Sequence, residues 1–390
     1  MTTLEQKIIG RIEKHRDICF FLIITFLAIL IRLCGKDFMS KDMMIFLLPW
    51  FDSIKEQGGL QGLSIQVGDY NILYQTIIAL FSYLNMEPIF LYKIFSCTFD
   101  FLLAYHSALL ICECTHKPKY KYTFNCAYAL ILFFPTVIFN SAFWGQCDAI
   151  YVFFCILTLK YIYHEKYILS FIFLGMAFAF KLQTIFIVPF IVVFYFYKKN
   201  FSILYFLISA FVLELSGITG FFAGRSLTAP WDIYLYQTQE QPVMYANIPN
   251  FWVLVGDNYD FLSKFAIIFT ICILGCGLYL VISGRKPLDN PRNFFDFACW
   301  NVWTCISFLP VMHERYTYGL DILLLILCFI NRKYLPLLFI SGILSLLSYS
   351  YFLFDTPYAE KPAALIFLLA YLYYTCVTIS ASRQQIMPQN

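Results

Sequence analysis

The sequence predicts an all-α polytopic membrane protein, a single helical bundle of about twelve transmembrane helices. The first observation is composition: 61% of the 390 residues are hydrophobic, 20% are aromatic and only 13% are charged. Soluble globular chains carry roughly 45–50% apolar and about 25% charged residues. The second is order along the chain. Apolar runs follow one another with short polar breaks, and neither an internal repeat nor a Gly/Ser- or Pro-rich linker divides them. Residues 1–390 therefore read as one integral membrane domain. The third is that lysines and arginines gather in alternate breaks, as cytoplasmic loops require. The net charge of +3 is too small to point to nucleic acid as a partner.

A helix needs about 20 residues to cross the hydrocarbon layer. The candidate spans are 18–33, 89–112, 123–141, 149–163, 167–180, 183–197, 201–223, 262–282, 294–311, 317–330, 334–353 and 362–380. Residues 70–86 are also apolar enough to cross, and the positive-inside rule decides against it. If they stay on one side, Lys7, Arg11, Lys14, Arg16, Lys117, Lys119, Lys121, Lys166, Lys198, Lys199, Arg285, Lys286, Arg292, Arg332, Lys333 and Arg383 all share one face. If they cross, these clusters divide between the two faces. The stretch is therefore read as a helix lying at the membrane surface or only dipping into it, with both termini cytoplasmic. Two long outer loops follow, 34–88 and 224–261, with short outer pieces at 142–148, 181–182, 312–316 and 354–361.

The fourteen cysteines do not describe a disulfide framework. Cys19, Cys155, Cys272, Cys328 and Cys376 lie within apolar runs, where cysteine behaves as a small hydrophobe. Cys112 and Cys114 form a lone CxC without a second pair at zinc-ligand spacing. The first apolar run leads into further spans without a small-residue cleavage site, so it is expected to stay as a span.

Charged groups at membrane depth are costly, so each invites a functional reading. In the first outer loop, Ser40-Lys41-Asp42 precedes the apolar run MMIFLLPWFDSI, closed by Gly58-Gly59. That pattern suits an interfacial helix with Trp50 at headgroup level. Asp42 begins it, and Asp69 precedes the second surface helix. Either carboxylate alone reads as a helix cap. The same face collects Trp144-Gly145-Gln146-Cys147-Asp148, Lys181 with Gln183, and His313-Glu314-Arg315-Tyr316. Asp100 lies inside a span and calls for a polar partner. Taken singly, Lys181 could snorkel, and His313 and Arg315 could meet lipid headgroups. Together they make one site. A carboxylate there accepts a hydroxyl proton, while Lys181, His313 and Arg315 hold phosphate oxygens beside an apolar bundle.

At these residues the sequence resembles the GT-C superfamily of polytopic glycosyltransferases. It is most similar to the dolichyl-phosphate-glucose glucosyltransferases and to bacterial proteins related to GPI mannosyltransferase II. The shared pieces are SKDMMIFLLPW, GDYNILY, the intramembrane Asp100, WGQCDA, KLQ followed by Pro189, and HERY, in family order from residue 40 to residue 316.

The resemblance implies an inverting transfer of one sugar from a polyprenyl- or dolichyl-phosphate donor. The acceptor would be a hydroxyl of a lipid-linked glycan or cell-envelope molecule on the non-cytoplasmic face. It implies that Asp42 is the catalytic base and that Asp69 is a second loop carboxylate. The stretch around Asp69 reads Asp-Tyr-Asn-Ile and lacks the prolines of the family's DYPP-like pattern. The resemblance also assigns His313 and Arg315, with Lys181, to the donor phosphate. Trp144, Gln146, Asp148, Gln183 and Asp100 are assigned to shaping the site. It implies no metal and no cofactor, and the outer loops carry no DxD. The 224–261 loop, with Pro230, Trp231, Asp232 and the polar run from Gln237 to Gln241, reads as a lid or acceptor-recognition loop. A transporter or lipid flippase, and a lipid-linked glycan polymerase or ligase, are the alternatives. The short chain and lean loops point to a bacterial plasma membrane, with the endoplasmic reticulum as alternative.

Overall fold

The computed structural model describes residues 1–240 and 242–383, so Gln241 and residues 384–390 lie outside it. The fold is all-helical apart from one two-residue parallel ladder, in which Tyr245 pairs with Met312 and Ala246 with His313. Among the described residues four helices, Pro88–Cys114, Tyr259–Ile282, Arg332–Phe354 and Glu360–Ile379, are long and apolar enough to cross a bilayer. A fifth candidate is a bent pair, Tyr122–Leu132 with Pro135–Trp144, which turns by 56° at its break. This is the architecture of an integral membrane protein. The helix Arg16–Cys34 is also apolar between its terminal charges. It turns Phe20, Leu22, Ile23, Phe26 and Leu30 outward, as a lipid-facing helix does.

Several expected spans divide into shorter pieces. The 201–223 segment is the turn Ile203–Tyr205 followed by Phe206–Ser216 and Ile218–Phe222. Asp148–Tyr163 and Tyr167–Phe180 are unbroken but have 16 and 14 residues. The segment 70–86 folds as Ile72–Phe81, 10 residues or about 15 Å of helix, half the hydrocarbon thickness. The 34–88 loop also holds a π-helical turn, Met43–Leu47, continuing as Leu48–Glu56. Gly58 and Gly59, at φ 86° and 69°, end it where a side chain would be strained. The 224–261 segment is more ordered than a loop, since Ala229–Glu240 is helical.

At the centre runs Pro291–Phe308, buried at every position from Asn293 to Phe308. A helix apolar all round belongs inside a bundle. Its one acid, Asp296, is paired with Lys286 at 2.8 Å and accepts from Tyr334 and Thr378 at 2.9 and 3.0 Å.

Several of the helix breaks are tied by charged side chains. Arg32 donates through Nε to Asp100 at 2.9 Å and through Nη2 to the carbonyl of Leu132 at 3.2 Å, at the bend. Ser141, in the π-helical turn Phe139–Trp144, donates to the same Asp100 oxygen. Lys93 donates to the carbonyl of Gly35 at 2.7 Å and also to that of Phe38, holding the start of the first loop. Each tie supplies a partner that water would otherwise have to provide.

Arg32→Leu leaves Asp100 as a buried, unpaired charge, and should lower stability by about 3–5 kcal/mol. The double change Arg32→Leu with Asp100→Leu should recover most of that loss. Reversible unfolding in mixed micelles measures both; a double variant no more stable than the single one would contradict the pairing argument.

Candidate functional site

The helix breaks open onto one cavity of about 360 Å³. Asp42, Asp69, Gln146, Lys181, Gln183, His313 and Arg315 all line it, although they come from five separated stretches of sequence. Trp144 and Asp148 stand directly behind this lining and bond to it. Asp100 does not reach the cavity. Its carboxylate is held by Arg32 and Ser141 inside the bundle, where it supports the turn that carries Trp144.

Asp42 is set by local structure before any long-range contact. Ser40 caps the following turn, its hydroxyl accepting from the Met43 N–H at 3.1 Å and donating to the Trp144 carbonyl at 2.9 Å. The helix-cap role read for Asp42 thus falls to Ser40, and the Asp42 side chain turns to the cavity. Its Oδ2 accepts from Trp144 Nε1 at 2.8 Å and Gln146 Nε2 at 2.7 Å. Arg315 Nη1 lies 3.8 Å from the same oxygen. Oδ1 receives no hydrogen bond among the described residues, so its lone pairs remain for a ligand. The turn between Trp144 and Gln146 needs Gly145, at φ 78°. A Cβ there would meet the Met43 methyl at 2.5 Å. The left-handed backbone favours glycine, and a side chain would also have to displace the Met43 methyl.

Arg315 is shared. Besides its approach to Asp42, Nη1 donates to Glu314 Oε1 at 3.1 Å, and the guanidinium carbon lies 5.6 Å from the Trp144 ring centre. Its Nε is buried with no hydrogen-bond partner among the described residues. The nearby Glu314 and Asp42 carboxylates, with Asp148, hold the guanidinium fully charged against the cost of burial.

Lys181 differs from the free cation expected of it. Its ammonium is paired with Asp148 Oδ1 at 2.7 Å, and the other Asp148 oxygen accepts from Asn140 at 2.8 Å. Lys181 lines the cavity with its charge already matched. Its ammonium also stands 5.8 Å from the Tyr70 ring centre, and the Tyr70 hydroxyl donates to Gln146 at 2.8 Å. His313 differs too. Burial, with the Arg315 and Lys181 cations nearby, pushes its imidazole down to about 3, so it is neutral at pH 7. It offers a neutral donor or acceptor to a phosphate in place of charge. The cavity's positive charge therefore rests chiefly on Arg315.

Asp69 lines the opposite wall. Its backbone carbonyl accepts from Gln237, which brings the Ala229–Glu240 helix onto the cavity rim. Asn71 caps the helix after it, accepting from the Ile72 N–H at 2.8 Å. The two-residue ladder to Met312-His313 brings Asn247 to the lining. Beside it Val311, a β-branched residue, holds φ 59° on the cavity wall. Such strain in a side chain of this shape persists only where its surroundings fix it. Phe46, Leu47, Trp50, Phe180 and Phe352 supply an aromatic and apolar wall.

Sequence reasoning gave Glu314, Tyr70 and Asn247 no role of their own, and it placed Gln237 in the polar run of the lid or acceptor-recognition loop. Glu314 and Tyr70 adjoin residues that were singled out, and adjacency within a polar motif was the available signal. Asn140 and Tyr349, bonded at 3.2 Å behind Asp148, gave none. All the described cysteines are free. No protein-family model matches this chain, and neither does any curated protein sequence.

The neutral His313 carries a pH signature. Its folded value of about 3 lies below the ordinary ~6.5 of the unfolded chain, so protonation favours unfolding. The contribution is fully present above ~6.5 and is lost as pH falls below it. Between pH 7 and pH 5 the wild type should lose about 1–2 kcal/mol more stability than His313→Gln, read from unfolding in detergent. Parallel curves for the two proteins would contradict a neutral His313.

Proposed function

We propose that the protein is an inverting glycosyltransferase of the GT-C type. It moves one sugar from a polyprenyl- or dolichyl-phosphate donor to a hydroxyl of a lipid-linked glycan or cell-envelope acceptor. The observation that carries this reading is that Asp42 and Arg315 meet in one cavity that also has an aromatic and apolar wall of Phe46, Leu47, Trp50, Phe180 and Phe352.

In this reading Asp42 Oδ1 takes the proton of the acceptor hydroxyl as its oxygen attacks the anomeric carbon. Trp144 and Gln146 fix the carboxylate through Oδ2, so little reorganisation is left for the transition state. The bond from the anomeric carbon to the phosphate oxygen breaks, with its electron pair going to the phosphate. Arg315 meets the charge that develops there. A phosphate departs without an acid, so a single carboxylate is enough, unlike the pair used in glycoside hydrolysis. Lys181, with its charge matched by Asp148, serves to set the wall and contributes less to phosphate binding than Arg315. No metal or cofactor is invoked.

The same reading takes the short and broken helices as spans, giving twelve crossings with both termini cytoplasmic. The 16 residues of Asp148–Tyr163 make about 24 Å of helix, short of the ~30 Å hydrocarbon layer. Helices of that length leave room at one interface for a cavity such as this one. The cavity is then on the non-cytoplasmic side, with Leu48–Glu56 and Ile72–Phe81 along the interface and Trp50 at headgroup level. A bacterial plasma membrane is the favoured location.

Purified protein should transfer sugar from at least one of a panel of radiolabelled polyprenyl-phosphate sugars to a crude lipid-linked acceptor. Asp42→Asn should lower that transfer by about 10²–10⁴-fold while donor binding survives. Transfer that persists in Asp42→Asn would remove Asp42 from the role of base.

A further inference from the structure

Glu314 is buried, at 1% exposure, and its Oε1 sits 3.1 Å from Arg315 Nη1. A carboxylate there is unexpected beside the cavity's main cation. It offsets part of the attraction that Arg315 has for an anion, and burial makes its own charge costly. Removing it would make a stronger phosphate site. The neighbouring charges do not compensate. Asp42 lies 3.8 Å from the same guanidinium, and Lys181 is matched by Asp148 at 2.7 Å. An anion at Arg315 therefore meets one cation bracketed by two carboxylates.

A cation bracketed in this way tolerates a ligand with one negative charge better than a ligand with two. We propose that Glu314 is a specificity-determining residue that makes the cavity favour a monoanionic phosphodiester over a dianionic phosphomonoester of the same lipid. The inference rests on the glycosyltransferase reading, in which this difference separates donor from product. The donor is a phosphodiester with one negative charge. When the acceptor oxygen bonds to the anomeric carbon, the bond to phosphate breaks and the hydroxyl proton goes to Asp42. The phosphate leaves as a monoester bearing the extra charge. Once Asp42 returns its proton to water, that dianion faces both carboxylates across Arg315. Glu314 thus acts through Arg315, weakening the hold on the spent lipid phosphate so that a new donor replaces it.

The test is direct binding to the full-length protein in detergent at pH 8, where a phosphomonoester is dianionic. The probes are a short polyprenyl phosphate and its methyl phosphodiester. Wild type should bind the diester at least about tenfold more tightly, the lower end of what a like-charge contact costs in a low-dielectric site. Glu314→Gln should close most of that gap by gaining affinity for the monoester. Glu314→Asp, which keeps the charge, should retain the gap and guards against a folding defect in the first variant. A merely structural role would weaken both probes together. Binding of both probes without preference in wild type, or a gap that persists in Glu314→Gln, would overturn the proposal while leaving the glycosyltransferase reading standing. Binding of neither probe by wild type would overturn both.

Discussion

A polar group buried away from water must find its partner inside the protein. A chain this apolar meets that constraint hardest wherever a helix stops short of the interface. Each break leaves carbonyls and N–H groups without intrahelical partners. Here the breaks cluster near one end of the bundle, and long cationic side chains close them. Arg32 reaches the Leu132 carbonyl, Lys93 the Gly35 carbonyl, and Arg225 the carbonyls of Leu63 and Ile65. With the breaks closed, the first loop, the Trp144 corner and the His313 segment sit around one cavity. The geometry of Asp42 depends on all three.

The site reuses one device, a charge met by more than one neighbour. Asp42 takes two neutral donors on one oxygen and faces Arg315 from the same side. Asp148 takes Lys181 on one oxygen and Asn140 on the other. Arg315 is divided between two carboxylates. Divided charges bind a ligand less strongly than free ones, and they are held more firmly before it arrives. Catalysis gains from such preorganisation when charge appears only in the transition state.

Much of this was legible in the sequence, for a definite reason. Asp42, Gln146, Lys181, Gln183, His313 and Arg315 are polar residues among apolar runs, and the positive-inside rule put them on one face. The all-helical class followed from composition. What stayed hidden depends on pairing in space. Lys181 reads as a free cation until Asp148 lies against it, and His313 reads as titratable until burial is known. Glu314 is one residue from Arg315 in sequence, yet its bearing on phosphate charge needs the 3.1 Å contact. The bend at residues 133–134 was hidden for another reason. Phe133-Phe134 is apolar enough to continue a span, and Pro135 favours a new helix start without fixing the 56° turn.

The central claim is that a lipid-linked phosphate binds at Arg315, in the cavity that Asp42 lines. A structure of the protein in lipid nanodiscs with a phosphonate analogue of the donor tests it most directly. The account predicts a phosphonate oxygen within hydrogen-bond reach of Arg315. It also predicts Asp42 Oδ1 on the opposite side of the anomeric carbon, with room for a hydroxyl between them. A phosphonate bound outside this cavity, or an Asp42 carboxylate on the same side of the sugar as the phosphonate, would contradict it.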